Sequence, residues 1–176
     1  MIVLLLAAVG FAAPDVDGPQ AVDVPAPVVA HDHTTFSLLE GESVAQGVDR
    51  ALASRREIPC DQVLDLGSTA DVRTALAAAT ERELPPWAPL RAASCLTDLA
   101  ETDDVALAYV QQLVARTDAP GFALAVTERL DHLPELRAVS IAQVAVANPS
   151  PALRSRLPAR LRESSYSTVR ALVPSR

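Results

Sequence analysis

Three features of the chain predict an all-α fold. Its 49% hydrophobic content is almost entirely aliphatic, because aromatic residues make up only 3%, and all-β architectures draw on more aromatic and β-branched side chains. Good helix formers (Ala, Leu, Arg, Glu) fill the stretch after residue 43. Within that stretch apolar residues return at the spacing of one helix face, with Pro, Gly, Ser and Asp between the periodic runs. A chain of 176 residues is long enough for one well-buried domain and short for two.

Composition divides the chain into three parts. Residues 1–12 (Met-Ile-Val-Leu-Leu-Leu-Ala-Ala-Val-Gly-Phe-Ala) have the length of a signal-peptide apolar region. The run is too short for a transmembrane helix, which needs about 20 apolar residues. Small residues around Ala12 fit a cleavage site, although no cation precedes the run. Residues 13–35 carry Pro14, Pro19, Pro25 and Pro27 among Asp15, Asp17, Asp23 and Asp32, with no basic residue. Such a segment has too little apolar surface to offset its ordering entropy and reads as an acidic linker. Residues 36–176 form the predicted helical domain. After removal of the signal no stable membrane insertion is expected.

Within that domain each element has its own punctuation. Ser43 opens a helix with Val44, Val48, Ala51 and Leu52 on one face and Arg55-Arg56 near its end. A short helix from Cys60 to Leu66 is expected to stop at a left-handed Gly67. Ser68 or Thr69 caps the next, with Val72, Ala75, Leu76 and Ala79 inward. Pro85-Pro86 leads into a helix burying Ala88, Ala92, Cys95, Leu96 and Leu99. Asp103 and Asp104 suit the start of the following one, whose core positions are Ala106 or Leu107, Val110, Leu113 and Val114. Asp118 is expected to cap a helix running through Ala123, Val126, Leu130 and Leu133. Pro134 begins another, with Ala138, Ile141, Ala142 and Ala145 inward, and Asn148-Pro149 ends it. Ser150-Pro151 opens a helix with Leu153, Leu157 and Leu161 inside, which Pro158 is expected to kink or split. A short helix with Val169 and Leu172 closes the chain.

Two of these helices echo one another. Leu90-Arg91-Ala92-Ala93-Ser94-Cys95 returns as Leu136-Arg137-Ala138-Val139-Ser140-Ile141, a spacing of 46 residues. Together with Asp71-Val72-Arg73-Thr74-Ala75, these stretches resemble the Val/Leu-Arg-x-x-Ala helix of HEAT-like repeats. The spacing lies within the range of HEAT and armadillo arrays. The echo advances by three helices, which is closer to armadillo than to HEAT geometry. The resemblance implies a small α-solenoid of short antiparallel helices over roughly residues 69–161. An irregular helical bundle is the alternative.

Function is less legible. A net charge of −7 argues against nucleic-acid binding. The sequence holds no Gly-rich phosphate loop, no His-Glu-x-x-His and no Gly-x-Ser-x-Gly. No catalytic, cofactor-binding or metal-ligating residue is therefore nominated. His31-Asp32-His33 has metal-binding residue types but sits in the linker, and His132 fits a helix C-terminus. Cys60 and Cys95 are an even pair, which in an exported protein points to a disulfide, with two separate buried thiols as the alternative. Trp87 is an interface anchor or a lid on the core. Arg154, Arg156, Arg160 and Arg162 form the one positive cluster, either a solvated helix face or a dock for an acidic partner or lipid headgroups. Together these point to an exported interaction module for an unidentified protein or peptide. The alternatives are a small all-α enzyme with scattered site residues and a structural subunit of an envelope assembly.

Overall fold

In the computed structural model, which describes residues 35–173, every regular element is helical. The expected signal peptide, most of the linker and His31-Asp32-His33 lie outside the described residues. The helices are α1 (Val44–Ala53), α2 (Cys60–Leu64), α3 (Thr69–Ala79), α4 (Ala88–Leu99), α5 (Asp104–Ala115), α6 (Pro120–Thr127), α7 (Glu135–Ala147), α8 (Pro151–Glu163) and α9 (Ser167–Arg170). A single 3-10 turn, Leu130–His132, separates α6 from α7.

The starts of α1, α3 and α5 follow polar residues that satisfy first-turn amides. Ser43 forms a full capping box with Gln46, and Ser68 accepts from the Asp71 amide. Asp103 accepts from the Val105 and Ala106 amides while holding Arg73 of α3. Burial of its carboxyl works against ionisation, but the Ala106 amide, Arg73 and the Val105 amide outweigh it and lower the pKa.

Several expectations need correction. Gly67 is not left-handed: the positive-φ residue among those described is Gly41, in the turn before α1. Gly67 is needed for close approach instead, since a Cβ there would meet Val44 Cγ2 at 2.7 Å. Arg55 and Arg56 lie beyond α1 in an exposed bend, and Arg50 is the cation of its last turn. Asp118 does not cap α6. It pairs with Arg116, and the N-cap is Ala119. The single helix expected through Leu133 is broken after Thr127. Leu133 is extended because it precedes Pro134, which disfavours the helical region for the residue before it. Pro158 neither ends nor divides α8, which runs through it. Ser150 stands at the N-cap of α8 but its side chain makes no capping bond.

Packing arranges the helices in two rows. α1, α4, α6 and α8 follow one another in the first, and α5, α7 and α9 pack in sequence in the second. α3 packs on α1 and α4 and reaches α5 through side chains: Arg73 to Asp103, and the Tyr109 hydroxyl to Ala77 O and Thr80. Bonds between successive members of a row join residues about one helix pair apart in sequence. Arg73 and Asp103 are separated by 30 residues, Gln111 and Ser140 by 29, Arg129 and Asp98 by 31, Arg160 and Glu128 by 32, Thr168 and Glu135 by 33. The echoed helices α4 and α7 stand in different rows.

One continuous core runs between the rows. Leu52, Leu76, Leu96, Leu130, Leu133, Ile141, Leu153 and Leu161 are among its most deeply buried large side chains, and alanines such as Ala92, Ala106, Ala138 and Ala142 let the helices approach closely. Cys60 and Cys95 stand at disulfide distance, Cα to Cα 5.1 Å, and tie α2 to the middle of α4. Cys95 faces the core, only 2% exposed, at the position that Ile141 holds in the echoed helix.

Two predictions follow from this framework of ties. Closing a loop between cysteines 35 residues apart stabilises the fold by about 4 kcal/mol on the chain-entropy model, so urea unfolding with reductant present should give a correspondingly lower free energy. The second concerns Glu42, bound by Arg50 and by the Leu39 amide, which together lower its pKa from 4.5 to about 2. Between those values the unfolded chain takes up the proton and the folded chain does not, so stability falls as pH drops through that window. The melting temperature of the native protein should fall toward that of Glu42→Gln between pH 5 and pH 2.

Candidate interaction groove

The outer face of α4 is set by its period. Trp87, Leu90, Arg91, Ser94 and Asp98 recur at helical spacing on the side opposite the buried Ala92, Cys95, Leu96 and Leu99. Beside this face lies a groove of about 570 Å³, walled by the segment from Glu57 to Asp61, by α4, and by Glu128 and Arg129 at the end of α6. Cys60 and Cys95 both line it, so the disulfide fixes the distance between two of its walls. Arg91 also borders a second cleft of about 420 Å³, which it shares with Arg55 and Trp87.

Several charged side chains here are held by identifiable partners. Arg129 holds Asp98 through two of its guanidinium nitrogens, Nε and Nη2, with Nε 2.9 Å from Oδ1, and Glu128 is held by Arg160. His132 lies in the 3-10 turn rather than capping a helix, exposed, with Nδ1 3.8 Å from Asp98 Oδ1. Arg91 donates to the carbonyls of Leu52 (3.2 Å) and Ser54 (2.5 Å) at the end of α1, and its guanidinium lies 6.0 Å from the Trp87 ring centroid. Trp87 is 39% exposed and Leu90, one turn on, 38%. Leu90 would also touch a Cβ placed at Gly121, at 3.3 Å, so this side chain leans toward the start of α6.

The arginines of α8 are not one patch. All four are exposed, but Arg160 is consumed by Glu128 and Glu163. Arg154 borders a small apolar cleft of about 170 Å³ between α7 and α8, whereas Arg156 and Arg162 border none of the clefts described. Trp87 and the α8 arginines are therefore not brought together. Sequence reading missed Arg55, Arg91 and Arg129 as groove residues. For Arg91 a signal existed, the repeated Leu-Arg step: Arg137 performs the same task, donating to Ala100 O at the end of α4.

No protein-family model, curated protein or solved structure matches the chain. Among the described residues no helix is long and apolar enough to cross a membrane, and no group of three His, Cys, Asp or Glu could hold a metal ion.

The tasks of the two groove arginines predict different mutational costs. Arg91→Ala strips the end of α1 of a charge-assisted donor and should lower unfolding stability by about 1.5–3 kcal/mol. Arg55→Ala, at an exposed bend with no ion pair to any described residue, should stay within about 0.5 kcal/mol. Paired urea titrations of the two variants check this.

Proposed function

We propose that the helical domain is an interaction module of an exported protein, holding a protein or peptide segment in the groove along α4. The exposed Trp87, in the cleft that meets this groove at Arg91, carries this reading, with Leu90 exposed one turn on. The chain has a single Trp, and an indole standing beside a cleft is a favoured binding anchor. Two rows of packed helices, like those of the HEAT and armadillo arrays the sequence resembles, offer an extended surface suited to a peptide. The paired cysteines support an oxidising compartment, and residues 1–12 and 13–35 serve as export signal and acidic tether in this reading. A wall clamped by a disulfide and by Arg91 presents the groove in a preorganised form, which lowers the entropic cost of binding.

Panning displayed random peptides on the full chain tests the proposal. Enriched peptides should shift the emission of Trp87, which as the one indole of the chain reports its own surroundings without ambiguity. Calorimetry should show a loss of about tenfold or more in affinity for Trp87→Ala, equivalent to about 1.4 kcal/mol. Peptides that bind Trp87→Ala as well as the native chain would refute the assignment.

A further inference from the structure

We infer that the Trp87 cleft, which adjoins the groove at Arg91, selects an acidic residue next to an apolar one in the bound segment; the inference rests on the groove being a peptide site. Arg50, Arg73, Arg82, Arg116, Arg129, Arg137 and Arg160 each have a carboxylate partner among the described residues. Arg55 and Arg91, which share the 420 Å³ cleft with Trp87, form no ion pair with any described residue. Arg91 is held by two backbone carbonyls. These fix the guanidinium in place but do not cancel its charge, because a carbonyl carries no net charge. Arg56, next to Arg55 in the same exposed bend, adds a third cation without a described ion-pair partner. Two cations without a described ion-pair partner, Arg55 and Arg91, therefore share a cleft with an indole in a protein of net charge −7.

Geometry makes this cleft selective. Arg91 is pinned beside the Trp87 ring, so a carboxylate meeting the guanidinium brings its neighbouring side chain against the indole. Arginine suits this role because its planar donors match a carboxylate and its charge persists at any physiological pH. Further along, Glu57 and Asp61 border the adjoining groove and form no ion pair with any described residue. An acidic residue is repelled there and a basic one favoured. Cleft and groove thus read polarity along a segment, acidic at the Trp87 cleft. On α8, Arg160 is internally paired, whereas Arg154, Arg156 and Arg162 have no described ion-pair partner but line no cleft with an indole, and the cleft beside Arg154 is much smaller.

Composition of the peptides enriched on the full chain tests this. Peptides that require Trp87 should carry Asp or Glu beside an apolar residue, and replacing that acid by Asn or Gln should weaken binding about tenfold or more. Arg55→Glu should cause a similar loss, and a Lys-substituted peptide should recover part of it. Affinity should also fall as salt rises from low to physiological levels, since Arg55 is exposed and Arg91 only half-buried. Thermal unfolding of Arg55→Glu should match the native protein, which separates lost binding from lost fold. Trp87-dependent peptides with no excess of acid, or with affinity unchanged by Arg55→Glu, would overturn the inference while leaving the groove as a peptide site. Anionic phosphatidylglycerol vesicles that shift Trp87 emission when acidic peptides do not would overturn it in favour of a lipid surface.

Discussion

Short helices have many ends, and satisfying those ends is the constraint on which this structure depends. Every helix leaves about four amides and four carbonyls without intrahelical partners, so a chain of short helices carries an unusually large load of them. Side chains from other helices take up much of it. Arg91 serves the carbonyls at the end of α1, Arg137 that of Ala100 after α4, and Arg170 those of Ser164 and Ser165 after α8. Buried Asn148 donates to Val114 O and Arg116 O at the end of α5 while its own oxygen accepts from the Ser150 amide. The Tyr166 hydroxyl donates to Leu133 O. Removing Asn148 leaves the Val114 carbonyl without this partner where water has limited access.

The same ties explain the arrangement in rows. An alanine-rich interface buries little area per residue, so packing alone specifies orientation weakly. Directional bonds between helix ends one pair apart supply the missing specificity, and they recur at a nearly constant separation. Cohesion is therefore mostly local along the chain, as in repeat arrays. The disulfide falls where this scheme is interrupted, at α2, a short helix outside both rows that packs against α4. The groove lies here as well, between residues 57–61, α4 and the end of α6. Arg91 is both an end clamp and a groove wall, so fold and site share one residue.

The legible and illegible parts of the sequence divide along physical lines. Helix existence and the inward faces were legible, because 3.6-residue periodicity is a local property; Val48, Leu76, Val110, Ile141 and Leu157 are all buried as their spacing implies. The cysteine pairing was legible from number and context. Helix ends were less so. Asp118 looked like a cap but is drawn to Arg116, and Gly67 looked like a left-handed stop but makes room for Val44. Trp87 was legible as a candidate, whereas its neighbour Arg55 was not, since nothing local places residue 55 beside residue 87. The α8 arginines looked like one cluster because they are close in sequence, but Arg160 is turned to Glu128 on another helix.

By itself the sequence determined that this chain is helical, which residues face inward, and that positions 91 and 137 repeat a Leu-Arg step, because propensity and periodicity act within a few residues. Tertiary structure decided what that step is for. It set α4 and α7 in different rows while giving both arginines the same task at another helix's end, and it set Leu136 at 86% exposure while folding Leu90 partly against α6. It also brought Arg55, Trp87 and Arg91 around one cleft. Such meetings depend on which helix end lies within reach of which side chain, a distance that forms only when the rows assemble.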